Sequence, residues 1–357
     1  MKTKRWASLA GAAGAAGAVI GLVAVVVPAD AGENGDGGGS GSGGGTRAAG
    51  WRQVDTGTPE KAPAGFDLVE ETASGDVMAV DERNQAVRCW NGAKWLTVDR
   101  VPIPETPGRA ISTVGGASCE NLYVFDQQET PQRWHWNGAK WSHVPSGGEY
   151  AMTTVRAFAA DDIWAAGHIA TGDLRHYDGT AWREQKLPDI KIEKLAGTSG
   201  KNLWALGETP GYPSKPVAYR WNGTAWKQAP LPAAWDGTPH EQVTSAADDI
   251  SVFGTTTEDG YLHYDGKAWT YEKLPVKGYV HGATAAKGTL WLGLYDEFLR
   301  RDSDGTWTKE PLPQTDTLKN LKIQDLATDP RTPTPFAAGT LLKGETPTTA
   351  VMLRGEG

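Results

Sequence analysis

The chain has 357 residues, and 35 Lys and Arg against 43 Asp and Glu give it a formal net charge of −8. Such an acidic chain is a poor candidate for binding nucleic acid or an anionic membrane surface. Hydrophobic residues make up 39% of the sequence, and the 16 Trp and 45 Gly indicate a globular protein unusually rich in tryptophan and in turns.

The first 31 residues have the pattern of a signal peptide. Lys2, Lys4 and Arg5 form a positive start, and no charge follows until Asp30, where a small-x-small cleavage pattern ends at Ala31. We therefore expect export and cleavage after Ala31, which takes the net charge from −8 to −10 because three positive charges and one negative charge are lost. The alternative is an uncleaved membrane anchor, since the uncharged run over residues 6–29 is long enough to span a bilayer.

Residues 32–46 form a predicted flexible linker. They are almost entirely Gly, Ser, Asp, Glu and Asn, a composition that cannot bury apolar surface. The folded domain is therefore expected over residues 47–357.

A short motif recurs along this domain: an aromatic residue, Asn or Asp, Gly, two further residues and Trp. Complete copies occupy residues 90–95, 136–141, 177–182, 221–226 and 264–269, and a degenerate copy occupies 303–307. Successive motif tryptophans are 46, 41, 44, 43 and 38 residues apart. This period is what four short strands and their turns require, so it predicts the blades of a β-propeller.

The parts of each unit also indicate strands. The Asn-Gly or Asp-Gly pair provides the positive φ of a tight hairpin between the two outer strands, and the flanking aromatic residues can pack against the adjacent blade. The run after the motif Trp ends in Leu-Pro or Val-Pro. Proline suits an outermost strand, because no ladder hydrogen bond is lost there. Upstream, short apolar strands ending in a glycine, such as Gly167 and Gly207, are predicted inner strands.

The two ends of the domain are complementary. Trp51 lies 44 residues before Trp95, one full period, yet no turn or inner strand precedes it. Residues 352–357 align with 218–223, so the C-terminal unit ends at the turn. Pairing the Trp51 strand with residues 351–354 would complete a seventh blade and remove two exposed sheet edges. The predicted fold is therefore all-β: a seven-bladed β-propeller whose last blade is closed by the N-terminal strand and C-terminal strands.

The units at residues 177–188 and 264–275 resemble kelch repeats, because a Tyr and a turn are followed by Trp and Leu-Pro. This chain has one glycine where kelch repeats have a pair, and its turn is shorter by about one residue. The copy at 303–307 is also similar to the Asp-box of sialidase-type propellers. Kelch-like propellers include interaction scaffolds and the catalytic domain of galactose oxidase, so the resemblance implies a fold and no single activity.

Cys89 and Cys119 are predicted to form a disulfide. Cys89 precedes the outer hairpin turn of the first blade, and Cys119 lies in the inner turn of the second, so both are expected on the same face of neighbouring blades. An exported protein permits such a bond. Two separate thiols are the alternative.

No catalytic residue, metal site or cofactor is predicted. His135, His176 and His263 occupy the same position in different blades and are expected to be strand residues rather than metal ligands. A galactose-oxidase-type copper site would need a Tyr–Cys pair. The two cysteines are expected in turns on the wrong face of the propeller for such a site. Glycosidase chemistry would need two carboxylates at a defined separation.

The candidate binding residues are those that interrupt the repeat on the face shared by the connections that leave outer strands. They are Trp235, Tyr212, Asp236, Tyr279, His281 and Tyr150. Exposed aromatic residues anchor recognition. The alternative for Trp235 is a structural role, in which its loop folds over the blade and the indole packs against it. We expect a secreted non-catalytic module, a monomer or part of a complex, that binds an extracellular carbohydrate or protein. A secreted hydrolase with loop carboxylates is the alternative.

Overall fold

A computed structural model of the chain describes residues 50–56, 66–81, 85–104, 110–126, 132–144, 151–167, 173–187, 190–246, 249–254, 259–286, 288–313, 315–332, 334–344 and 346–355. The predicted signal peptide and linker lie outside these residues. In the described part of the chain there are 28 strands, and no helix is long and apolar enough to cross a membrane.

The strands form seven antiparallel sheets of four, which are the blades of a propeller. Blade 1 contains β2 (Leu68–Glu71), β3 (Val77–Asp81), β4 (Ala86–Trp90) and β5 (Trp95–Val98). Blade 2 contains β6 (Ile111–Ser118), β7 (Asn121–Asp126), β8 (Arg133–Trp136) and β9 (Trp141–Val144). Blade 3 contains β10 (Thr154–Ala159), β11 (Asp162–Ala166), β12 (Leu174–Tyr177) and β13 (Trp182–Gln185).

The remaining blades follow the same order from the inner to the outer strand. Blade 4 contains β14 (Lys191–Ser199), β15 (Asn202–Glu208), β16 (Pro216–Trp221) and β17 (Trp226–Ala229). Blade 5 contains β18 (Pro239–Ala246), β19 (Asp249–Gly254), β20 (Gly260–Tyr264) and β21 (Trp269–Lys273). Blade 6 contains β22 (Gly282–Ala286), β23 (Thr289–Gly293), β24 (Glu297–Arg301) and β25 (Trp307–Pro311).

Blade 7 combines the two ends of the domain. It contains β26 (Leu321–Asp329), β27 (Thr334–Lys343), β28 (Thr346–Gly355) and, as its outer strand, β1 (Trp51–Val54). Trp51 lies opposite Gly355 and Val54 opposite Met352 in an antiparallel ladder. The prediction of a seven-bladed propeller closed by its N-terminal strand is confirmed.

The first strand of each blade contacts the first strands of both neighbouring blades, and β26 contacts β2. These seven inner strands therefore surround a central channel. Because the four strands of a blade alternate in direction, the connections fall on two faces. We call "turn face" the side with the turns between first and second and between third and fourth strands. We call "loop face" the side with the connections between second and third strands and between blades.

The repeat motif forms the outer hairpin of each blade. Trp90 lies opposite Trp95 across the β4–β5 turn, and the other complete copies place their two aromatic residues in the same way. Asn91 Oδ1 accepts hydrogen bonds from the backbone N–H groups of Ala93 and Lys94, at 3.1 and 3.0 Å. Gly92 alone supplies the positive φ, 92°. The motif is therefore an Asx turn followed by glycine.

The residue before the motif aromatic is a strand position, as expected from the sequence, and in several blades it packs on an aromatic ring. His135 stacks on Tyr123 and His176 on Trp164, with ring centroids 4.5 and 4.2 Å apart. In blade 6 this position is Arg300, which lies opposite Trp291. His263, at the same position of blade 5, instead contacts two carboxylates, with Nδ1 2.7 Å from Glu272 Oε1 and Nε2 3.0 Å from Asp249 Oδ1. All three histidines are therefore strand residues with partners.

Cys89 and Cys119 form a disulfide bond with their Cα atoms 5.6 Å apart. It joins β4 of blade 1 to the β6–β7 turn of blade 2. The backbone N–H of Cys119 also donates a hydrogen bond of 2.8 Å to Asp76 Oδ2 in blade 1. The bond predicted from the sequence is therefore present.

Candidate functional site at the mouth of the central channel

Among the residues that the structure describes, Tyr212 is the most exposed aromatic residue of the loop face. It lies in the connection between β15 and β16, and its side chain is 101% exposed. The base of this connection is closed by two hydrogen bonds between Thr209 and Lys215, one from the Thr209 N–H to the Lys215 carbonyl and one from the Lys215 N–H to the Thr209 hydroxyl. A closed loop thus presents a fully solvated ring.

Trp235 does not accompany Tyr212 as an exposed ring. Its side chain is 4% exposed and belongs to the apolar core between blades 4 and 5. A Cβ at Gly254 would lie 2.7 Å from Trp235 Cη2, so the glycine that ends β19 makes room for the indole. Asp236, the next residue, is exposed. The structure places Trp235 in the packing role that the sequence left open, and the paired platform with Tyr212 does not form.

Tyr279 and His281, in contrast, lie together at the loop-face end of the channel. His240 of β18 lies beside Tyr279, with ring centroids 4.7 Å apart, and His281 lies on the other side of Tyr279 at 4.8 Å. Tyr295, in the β23–β24 turn, extends the row at 4.9 Å from His281. We call these four residues the ring arc. Tyr150, the remaining candidate, lies outside the described residues.

The arc continues into blade 7 through Tyr295. Tyr295 has φ 72°, a left-handed conformation that is uncommon for a bulky residue. Its carbonyl accepts a hydrogen bond of 3.0 Å from the N–H of Ile323 in β26. Lys322 Nζ lies 4.7 Å from the Tyr295 ring centroid and pairs with Asp296. The unusual backbone thus holds the tyrosine ring under a lysine from the neighbouring blade.

Below the arc, charged side chains from inner strands of four blades converge in the channel. We call Glu70, Lys194, Glu241 and Asp325 the charged ring. Lys194 Nζ lies 3.6 Å from Glu241 Oε1. Asp325 Oδ2 accepts a hydrogen bond of 2.8 Å from the N–H of Val69, which joins blades 7 and 1.

Bulges in the inner strands accompany this convergence. In β14, β18 and β26 the register shifts immediately before Lys194, Glu241 and Asp325. A bulge re-aims the following side chain relative to a regular strand. The same irregularity at the same place in three blades therefore helps to direct these charges into the channel.

The charged ring holds more negative than positive charge in a buried setting. Burial raises the pKa of Glu70 to about 7. It also raises the pKa of Asp325, and the neighbouring carboxylates of Glu241 and Glu70 raise that pKa further. Burial opposes the charge on Lys194, but the carboxylates of Glu241, Glu70 and Asp325 raise its pKa above the ordinary value. The lysine therefore stays charged while the carboxylates compete for it.

The imidazoles of the arc are kept neutral. Burial lowers the pKa of His240 to about 4, helped by the positive charge of Lys194 and by His281. Burial also lowers the pKa of His281, against the opposing effect of Asp296. Tyr279 keeps its proton as well, because burial and the Glu241 carboxylate raise its pKa to about 12. At neutral pH the arc therefore offers uncharged rings with hydrogen-bonding edges.

The channel at this depth is narrow. The cavity bounded by Glu70, Lys194, Glu241 and Asp325 holds about 40 Å³, and the adjoining cavity toward Glu71 holds about 70 Å³. Such volumes accept a few water molecules and no sugar ring. Larger ligands can contact the arc and the loops, but these two cavities do not admit them. A third cavity, lined by Glu71, Arg156 and residues of the turn face, holds about 220 Å³.

One group of His, Cys, Asp or Glu side chains in the described part of the chain is compact enough for a metal ion: Asp76, Cys89 and Cys119. Both sulfurs of this group are bonded to each other in the disulfide, so neither is available as a thiolate ligand.

The sequence interpretation identified Tyr279 and His281 but not their neighbours. His240 and Tyr295 occupy no motif position. His240 comes from the adjacent blade 5, and the pairing of β22 with β23 inside blade 6 brings Tyr295 beside His281. The charged ring had no clear sequence signal, because the strands that carry Lys194, Glu241 and Asp325 contain other charged or polar residues as well.

The chain matches no protein-family model and no curated protein. It is similar in fold to a streptogramin B lyase, with a TM-score of 0.65 and 12% identity over 87% of this chain and 100% of that chain. YCF48 bound to D1 peptide gives a TM-score of 0.60 and 11% identity over 87% and 98% of the two chains. The extracellular domain of BT4673 from B. thetaiotaomicron gives 0.58 and 12% over 87% of this chain and 40% of that chain.

These similarities confirm the propeller fold and no more, because identities this low do not carry function. None of the three is of the galactose-oxidase type that the kelch resemblance suggested.

Proposed function

We propose that the protein is a secreted, non-catalytic binding module that recognises a protein partner through its loop face. The observation that carries the proposal is the ring arc, four rings in contact at the mouth of the channel. Aromatic residues supply large contact area at low cost in side-chain entropy, which is why they dominate recognition surfaces.

Three features favour a protein over a carbohydrate as the partner. Tyr212 is fully exposed on its own closed loop, away from the core, and provides a separate anchor for a broad partner. The two cavities beside the charged ring are too small for a sugar ring, so a carbohydrate that approaches from the loop face would have to bind on the arc alone. Among proteins of the same fold, YCF48 has been solved with a peptide bound.

Secretion is supported by the charge and cleavage pattern of residues 1–31 and by the disulfide between Cys89 and Cys119. Disulfides persist in oxidising compartments and are rare in the cytosol. The fold is also found in the extracellular domain of BT4673.

The alternative of a hydrolase depends on carboxylates that a substrate can reach. Glu70 has the raised pKa expected of a general acid, but it lines the narrow part of the channel. The partner-binding role accounts for the exposed Tyr212 ring and for the half-buried ring arc, whereas hydrolysis would leave them unexplained.

The test is photo-cross-linking of the full chain on the cells that produce it. A photo-reactive phenylalanine analogue at Tyr212 should cross-link a protein, whereas the same analogue at His143, an exposed histidine of blade 2, should not. The identified protein should then bind a double variant with Tyr279→Ala and His281→Ala about tenfold or more weakly than the wild type. Glycan-array binding without a protein cross-link, or turnover in a glycosidase screen, would overturn the proposal.

A further inference from the structure

A second candidate surface lies on the rim of the propeller, away from the channel. The outer strands of blades 4 and 5 are separated by a groove of about 660 Å³, which we call the interblade groove. Its lining comprises Trp204, Arg220, Lys227, Gln228, Ala229, Pro230, Leu231, Pro232, Tyr264, Lys267, Ala268, Trp269, Thr270 and Tyr271. This volume is within the range of sites that bind drug-sized ligands or peptide side chains.

The floor of the groove is a rigid aromatic cluster. Trp204, Tyr264 and Trp269 contact one another with ring centroids 4.8 to 5.2 Å apart. The Arg220 guanidinium lies over the Trp204 and Tyr264 rings and donates hydrogen bonds to the Tyr264 hydroxyl and to Asn202 Oδ1. These rings are buried, 2 to 6% exposed, and they fix the base on which the accessible lining residues stand. A fixed base lowers the entropic cost of binding.

The wall on the blade 4 side results from the end of β17. Pro230 and Pro232 flank Leu231 and terminate the strand, because proline cannot extend a ladder. The chain then turns, with the Trp235 N–H bonded to the Pro232 carbonyl at 3.0 Å. Burial of Trp235 between the blades fixes this turn, so Leu231 is held, half-buried, at the edge of the groove.

The charge of the groove is opposite to that of the chain. Three of its lining residues are cationic, Arg220, Lys227 and Lys267, and none is acidic, although the whole chain carries a net charge of −8. Lys227 and Lys267 are exposed on opposite walls. An occupant with carboxylates next to apolar side chains would therefore match both the floor and the rim.

We infer that the interblade groove binds an extended segment of a partner protein in which apolar side chains are flanked by Asp or Glu. The apolar side chains contact Leu231 and Tyr271, two half-buried lining residues, above the buried Trp204, Tyr264 and Trp269 cluster. The carboxylates meet Lys227 and Lys267. This inference is independent of the proposed function at the loop face.

A phage-displayed library of random linear peptides, selected on the intact, oxidised chain, provides the probe. The recovered peptides should be enriched in both apolar and acidic residues. Charge reversal by Lys227→Glu with Lys267→Glu should weaken their binding at least tenfold. The matched control is Lys94→Glu with Lys140→Glu, two exposed lysines in the equivalent turns of blades 1 and 2, and this variant should bind as the wild type does. Amidating the peptide carboxylates, or raising the ionic strength, should weaken binding to the wild type.

Several results would overturn the inference. Recovered peptides without acidic residues, or equal losses in the charge-reversed variant and its control, would show that the groove is not their site. Loss of binding only in the Tyr279→Ala, His281→Ala variant would assign the peptides to the loop face, which supports the proposed function instead. A wild-type dimer in light scattering that dissociates on reversal of Lys227 and Lys267 would make a second copy the occupant. Tighter peptide binding by a chain that begins at Arg47 would make the preceding segment the occupant.

Discussion

Trp51 stacks on Phe298, with ring centroids 4.2 Å apart and ring planes inclined by 14°. The two residues belong to different blades, since β1 is hydrogen-bonded in blade 7 whereas Phe298 lies in β24 of blade 6. Trp51 also meets Trp291 of blade 6 edge-on at 5.4 Å. The N-terminal strand thus contacts two blades: its backbone is hydrogen-bonded to blade 7, and the Trp51 indole packs on blade 6.

Replacing Trp51 by alanine should therefore lower the free energy of unfolding by about 3 kcal/mol, the usual cost of removing a buried aromatic side chain. Chemical denaturation followed by tryptophan fluorescence measures this loss. Arg52→Ala, at the next and exposed position of the same strand, is the control and should change stability little. Equal stabilities for the two variants would contradict the closing role of Trp51.

Deleting the whole strand should be more damaging than deleting the linker. Removal of residues 46–56 leaves the outer edge of β28 unpaired and Phe298 exposed, whereas residues 32–45 contain no strand-forming pattern. We expect a much lower melting temperature for the first deletion and a nearly unchanged one for the second. Identical melting temperatures would argue against ring closure by β1.

Reduction of the disulfide should destabilise the protein by about 3 kcal/mol, because the bond closes a loop of 30 residues and limits the unfolded chain. Thiol labelling of the unreduced protein under denaturing conditions should detect no free thiol. Labelling of two thiols in the exported protein would exclude the bond in solution. A Cys89→Ser, Cys119→Ser variant should reproduce the loss seen on reduction.

Trp235 and Tyr212 should respond oppositely to alanine substitution. Trp235→Ala leaves a cavity in the core between blades 4 and 5 and should cost about 3–5 kcal/mol of stability. Tyr212→Ala removes a fully solvated ring and should leave the melting temperature unchanged. A stable Trp235→Ala variant would show that the indole is not required for packing.

Glu70 should make stability depend on pH. Its pKa is raised by burial from 4.5 to about 7, so the folded state holds a proton that the unfolded state releases. The contribution of protonated Glu70 is complete below pH 4.5 and is lost as pH rises to about 7. Glu70→Gln should therefore match the wild type near pH 4 and exceed its stability by roughly 3 kcal/mol above pH 7. Denaturation curves at both pH values provide the test, and a Gln variant less stable at high pH would reverse the sign.

The fold followed from the sequence because its information is local and repeated. Each copy of the aromatic, Asx-Gly and Trp motif needs only residues a few positions apart to form its hairpin, and the spacing then counts the blades. The closure by Trp51 was also visible, since each end of the domain lacks what the other supplies.

The candidate site was less accessible for a physical reason. His240 meets Tyr279 because blades 5 and 6 are neighbours in the ring, and Tyr295 meets His281 because β22 pairs with β23. Neither contact is marked by a motif in the sequence. Trp235 was misleading in a different way, because an aromatic residue outside the repeat can serve either a ligand or the core. The indole of Trp235 packs in the core, in the space left by the missing side chain of Gly254.

Closure of blade 7 by β1 also has a consequence for the order of events during synthesis. The ribosome makes β1 first and its partner β28 last, so the first strand waits unpaired while six blades emerge. Contacts between residues so distant in sequence form slowly, and an unpaired edge strand is open to pairing with other chains in the interval. The pairing of β1 with β28 closes the ring of the mature protein. Until that pairing forms, the newly made chain is most open to misassembly.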